Sequence, residues 1–246
     1  MVRIAIKKIK IALAIIGLVL LVVLLLILFK ATNKTTSGSS ASISDTTVRG
    51  FSFLDLHADS IFSVGVRHRL QETLGSEAVE TRTVLDLEMH YPGFLERYFP
   101  DLNKLNKQLN YEGGRRIRIE HNTTKLTFRY STSFQYVELF FSNDTQKPLL
   151  FRIKAKRDGE DYLATLQQKY GEPQTIAWQH QKGKSAFWNR DGDVLVLSLF
   201  ADQYGQPQCE IMICHAKNIE NLLAAEKKDA GQRKSHRWPE VVRRAA

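Results

Sequence analysis

From Arg115 to Ala216 the chain breaks into short alternating or apolar stretches separated by turn-forming pairs, and this spacing constrains the fold more than any other feature. RRIRIEH (115–121), KLTFRY (125–130), FQYVELFF (134–141) and LLFRIKAK (149–156) alternate or nearly alternate, with Gly113-Gly114 and Asn143-Asp144 as breaks. QTIAWQHQ (174–181), SAFWN (185–189), DVLVLSLF (193–200) and CEIMICHA (209–216) follow, joined through Lys182-Gly183-Lys184, Arg190-Asp191-Gly192 and a Gly/Pro loop at 204–208. A period of two places alternate side chains on opposite faces of a strand. Connections this short join only antiparallel neighbours, because a parallel crossover needs about a dozen residues. The predicted fold is α+β, a mainly antiparallel sheet with few helices.

Leu102, Leu105 and Leu109 recur at helical spacing after Pro100, and NIENLLAAEKK (218–228) reads as a second amphipathic helix. Two further helix ends echo one another. LQETLGSEA at Leu70 and LQQKYGEPQ at Leu166 each stop at a glycine after an apolar residue and run on into a strand. The echo suggests two helix-then-meander halves, 51–157 and 158–225. A helix ending in L-G-x or Y-G-x-P before a meander is similar to envelope modules of the beta-lactamase-inhibitor-protein-like kind. The likeness covers only the helix ends and lacks the lipoprotein cysteine common in such proteins, so it carries no family membership.

Residues 11–29 form an uncharged apolar run of 19 residues. About 20 apolar residues match the hydrocarbon thickness of a bilayer as a helix. Residues 1–30 are therefore predicted to be a basic flank and a transmembrane signal-anchor, and the Ser/Thr-rich stretch 31–50 a flexible linker. Arg3, Lys7, Lys8 and Lys10 precede the run while Lys30 and Lys34 follow it. Lys/Arg-rich flanks stay cytoplasmic. The expected arrangement is a single-pass membrane protein with its N-terminus in the cytoplasm and its domain extracytoplasmic, in the periplasm or at the cell exterior. The charged segment 226–246, interrupted by Pro239, reads as a frayed helix end and a disordered tail.

The formal charge of +9 does not signal nucleic-acid binding. Six of these charges lie in 1–34 and a net four in 226–246, leaving −1 for the chain between. Within that chain, 115–157 carries ten basic and three acidic residues. Period-two geometry sorts Arg116, Arg118, Lys125, Arg129, Arg152, Lys154 and Lys156 away from the apolar side chains of their strands. On one sheet they would form an outer cationic face able to bind an anionic polymer, lipid headgroups or an acidic protein. A solvated sheet surface is the plainer reading of the same pattern.

Asp55, His57 and Asp59 in FLDLHADS resemble the first metal motif of amidohydrolase-type barrels and membrane dipeptidases. Such barrels take about 250 residues in alternating strands and helices, whereas this region reads as hairpins. The alternative reading has Asp59 or Ser60 capping the helix that runs to Gly75, with Asp55 in the entry turn. Gly183-Lys184-Ser185 resembles the end of a phosphate-binding loop, but Trp178 stands where the first glycine is required. Cys209 and Cys214, five residues apart on one strand, cannot bridge each other and face opposite ways. Trp178 and Trp188 read as a cross-strand pair or as core residues. No G-x-S-x-G, HExxH or paired C-x-x-C occurs. The expected function is a non-enzymatic envelope binding or assembly module without a cofactor, engaging an anionic or acidic partner through the basic face. The alternative is a metal-assisted hydrolase using Asp55, His57 and Asp59.

Overall fold

The computed structural model describes residues 50–156, 159–178 and 183–235. The apolar run, the linker up to residue 49 and the end of the charged tail lie outside the described residues. Helix α1 (Val64–Leu74) leads into β1 (Glu77–Val84), then α2 (Phe94–Tyr98), α3 (Pro100–Asn110) and a small hairpin of β2 (Tyr111–Glu112) and β3 (Arg115–Arg116). β4 (Glu120–Arg129), β5 (Phe134–Ser142) and β6 (Pro148–Ala155) complete the first half. The second runs α4 (Glu160–Tyr170), β7 (Gln174–Trp178), β8 (Gly183–Arg190), β9 (Asp193–Ala201), β10 (Pro207–Cys214) and α5 (Ala216–Ser235).

Eight strands form one sheet in the order β1-β4-β5-β6-β10-β9-β8-β7, each pair antiparallel. The order reads alike from either edge: a helix and four strands from each half, meeting where β6 pairs with β10. Gly75 (φ 93°, ψ −161°) and Gly171 (φ 83°, ψ −172°) end α1 and α4. This backbone region is essentially closed to residues with a Cβ, so the two glycines mark matching chain reversals. The side-chain cap of α1 is Ser63, whose Oγ accepts the Val66 N–H at 3.3 Å, and not the predicted Asp59 or Ser60.

Both sheet faces are covered. One packs Phe128, Leu139, Phe151, Ile153, Leu197 and Ile213 against α1, α4 and Phe51. The other packs Phe140, Val194, Val196, Met212 and Trp178 beneath α2, α3 and α5. The continuous apolar run of β9 follows, since a strand covered on both faces has no side to leave polar. Cys209 and Cys214 are buried and form no disulfide, one in each core, as their spacing predicts. The tryptophans are core residues but not a pair: Trp178 lies across from Gly183 and Trp188 across from Leu195, on opposite faces.

Two expectations are corrected. RRIRIEH is not one strand: the chain leaves β3 after Arg116, the Ile117 N–H bonds to the Asn110 carbonyl at 2.8 Å, and β4 begins at Glu120. Arg116 and Arg118 are therefore not on the eight-stranded sheet. Helix α5 continues through Ser235, well into the segment predicted to be disordered, because its Ala, Glu and Lys residues favour helix and Glu226 is tied to β4.

Candidate functional site

After β1 the chain runs as LDLEMH (85–90), apolar and polar in turn. Leu85, Leu87 and Met89 enter the core beneath α2 and α3, and Asp86, Glu88 and His90 alternate with them along the chain. Two buried asparagines of α3 hold the segment. The Asn106 Oδ1 accepts the Leu87 N–H at 2.9 Å, and the Asn110 Nδ2 donates to the Leu85 carbonyl at 3.0 Å. On its other side the Arg152 guanidinium of β6 donates to the carbonyls of Asp86 and Glu88, and Arg116 pairs with the Asp86 carboxylate.

His90 ends this segment with φ 56°. Its ring is fully buried, stacked on Trp178 at 4.6 Å and met edgewise by Phe94 and Phe200. A hydrogen-bond chain reaches one of its nitrogens. The Trp178 Nε1–H can only donate, and it donates to the Ser185 Oγ at 3.1 Å. The Ser185 Oγ lies 2.8 Å from the Ser198 Oγ, which lies 2.9 Å from the His90 Nε2. The other ring nitrogen, Nδ1, is buried without a partner; the Glu210 carboxylate is 3.8 Å away, too far for a hydrogen bond. Burial, and after it the charge of Arg152, push the imidazole down to about 4.

His90 lines a cleft of about 220 Å³ together with Glu88, Tyr136, Glu138, Arg152, Lys154 and Glu210, with Met89 and Met212 as apolar wall. A row of directly opposed residues crosses it: Arg129 on β4, Tyr136 on β5, Lys154 on β6, Glu210 on β10, Ser198 on β9 and Ser185 on β8. Burial, and secondarily the Asp86 charge, raise the Glu88 carboxyl, one of whose oxygens is buried without a partner. Burial also raises Glu210, despite the nearby Lys154 and Arg152. Tyr136 donates to the Glu138 carboxylate, and its phenol is raised by burial and by that bond. Among the described residues no carboxylate stands within 4.0 Å of the Lys154 ammonium.

Of the predicted cations, the structure brings Lys125, Arg129, Arg152 and Lys154 to this region. Lys125 pairs with Glu80 at 2.9 Å and Glu138 at 3.7 Å, while the Arg129 guanidinium lies 5.9 Å from the centre of the Tyr136 ring. Lys156 donates to the Ser131 carbonyl between β4 and β5, and Arg118 is exposed beyond the small hairpin. The cations are interleaved with glutamates from other strands. Glu88, His90, Tyr136 and Glu210 were missed by the sequence reading; the alternation of LDLEMH was the available signal for the first two.

Asp55, His57 and Asp59 occupy a tight turn in which Phe53 and Leu56 exchange backbone hydrogen bonds. The His57 Nδ1 accepts the Asp59 N–H at 3.3 Å, and the Asp59 carboxylate is bonded by Lys147 at 3.1 Å, which lowers its pKa. Among the described residues no three His, Cys, Asp or Glu side chains are grouped so as to hold a metal ion. Comparison with family models, curated proteins and solved structures finds no match to the chain.

Proposed function

We propose that the protein is a membrane-anchored binding module whose ligand site is the cleft between the LDLEMH segment and strands β5, β6 and β10. The apolar run at 11–29 and its basic N-terminal flank support a cytoplasmic N-terminus and an extracytoplasmic domain. The two halves are read as a duplicated helix-and-meander unit, supported by the matching glycine stops and by a strand order that is the same from both edges. The cations once expected to form a basic face become one side of a mixed-charge site.

The observation that carries the reading is the pair of unpartnered buried atoms, the His90 Nδ1 and a Glu88 carboxylate oxygen, beside an unpaired lysine at one cleft. Leaving a buried polar group unsatisfied costs about 1–3 kcal/mol. Two such groups at one cavity are accounted for by a ligand that completes them. A photoreactive methionine analogue at position 89, in the apolar wall of the cleft, should capture that ligand in intact cells, and protease added outside the cells should remove the adduct. Equal capture by the same residue at exposed position 72, on α1 and the opposite sheet face, would sink the site; an adduct untouched by protease would sink the orientation.

A further inference from the structure

We propose that the ligand of this cleft is a small zwitterion, an ammonium and a carboxylate on one short frame as in a free α-amino acid. The inference rests on the cleft being a binding site and names the chemistry that would fill it. Its vacant hydrogen-bonding capacity has both signs. The unpartnered Glu88 oxygen and the Glu210 carboxylate call for N–H donors carrying positive charge. The ammonium of Lys154 calls for an acceptor carrying negative charge, and the His90 Nδ1 for a hydrogen-bond partner of either kind. A simple amine would leave Lys154 unanswered. A simple anion would set its charge against Glu88 and Glu210.

Geometry brings the two needs together. Lys154 and Glu210 are direct cross-strand neighbours on β6 and β10, with Cα atoms about 5 Å apart, so residues of opposite charge are offered side by side. A volume of about 220 Å³ is below the roughly 300–1,000 Å³ of sites for drug-sized ligands. Met89 and Met212 give an apolar wall whose unbranched thioethers adapt to side chains of different shape. Arg152 is committed to the carbonyls of Asp86 and Glu88, which makes it a positioning residue for the segment that carries Glu88 and His90.

Calorimetric titration of the full chain in detergent micelles with alanine, valine and glutamate, their N-acetyl derivatives, ethylamine and propionate tests the inference. At least one free amino acid should bind saturably, with its N-acetyl derivative and the two single-charge compounds weaker by about tenfold or more. Glu210→Gln and Lys154→Met should each weaken the same amino acid by about tenfold, while Glu72→Gln leaves it unchanged. Thermal unfolding of each variant checks that it is folded. Independently of any variant, the ring nitrogen resonances of His90 should shift on adding the amino acid and not on adding propionate. Binding of an N-acetyl derivative or of propionate as tightly as the free amino acid would overturn the zwitterion, as would no saturable binding by any of the three. A molecule without an amine captured at position 89 would leave the site standing and remove only the ligand class.

Discussion

His90 holds a backbone conformation that side chains with a Cβ rarely adopt, at a cost of about 1–2 kcal/mol, and it keeps a buried ring nitrogen without a hydrogen bond. Both costs sit at the cleft, where strain is compatible with a role in binding. The ring also makes stability pH-dependent. Its folded pKa of about 4 lies below the ordinary 6.5, so the unfolded chain takes up the proton first as pH falls. Its contribution is intact above about 6.5 and is lost progressively towards 4, amounting to about 2 kcal/mol between pH 7 and 5. The raised carboxyls of Glu88 and Glu210 face it and act in the opposite sense, giving up stability as pH rises above their ordinary values. Comparison with His90→Asn isolates the histidine: urea denaturation at pH 7 and 5 should show the acid loss shrinking by about that amount. An unchanged loss would mean that the ring takes up its proton as readily in the folded chain as in the unfolded one. In the sequence His90 stood alone, with no HxH or HxxxH partner, because Trp178, Ser198 and Glu210 reach it from strands about a hundred residues downstream. The Asp55, His57 and Asp59 triplet was conspicuous for the opposite reason: its contacts are with near neighbours and Lys147.

Helix α5 meets β4 through Glu226. The His121 Nε2 lies 3.0 Å from the Leu109 carbonyl and its Nδ1 lies 2.8 Å from the Glu226 carboxylate. Glu226 also accepts the Asn122 N–H at 2.7 Å. Burial alone would raise this carboxyl, but the bonds from His121 and Asn122 outweigh it and hold the pKa below the ordinary range. A lowered acid contributes stability above its unfolded pKa of about 4.5 and loses it as pH falls further. Glu226→Ala should destabilise the protein by about 2–3 kcal/mol in urea denaturation at pH 7, with Glu226→Gln smaller; a change below about 0.5 kcal/mol would place the contact among surface pairs of little weight. The strands were the most legible elements, since turn pairs and a period of two depend on local chemistry alone. RRIRIEH misled because alternation also suits a chain that crosses from a small hairpin into a sheet. The length of α5 was hidden because its anchor, Glu226, is recognisable only once β4 lies beside it.

Each core draws on both halves: Leu139 and Phe151 meet Leu197 and Ile213 on one face, and Phe140 meets Val196 and Met212 on the other. The halves should therefore unfold together. Thermal unfolding followed by far-UV circular dichroism and by tryptophan fluorescence, with Trp238 replaced by Phe, should give coincident transitions; separated midpoints would show two independently stable units. Charge counted along the chain marked 115–157 as basic, but Glu80, Glu88 and Glu210, which lie outside that segment, return to it in space. The cleft lies across the seam, with Lys154 from one half and Glu210 from the other. On the duplication proposed above, neither copy carries both charges of this pair. The proposed site then belongs to the junction of the two units and to neither of them alone.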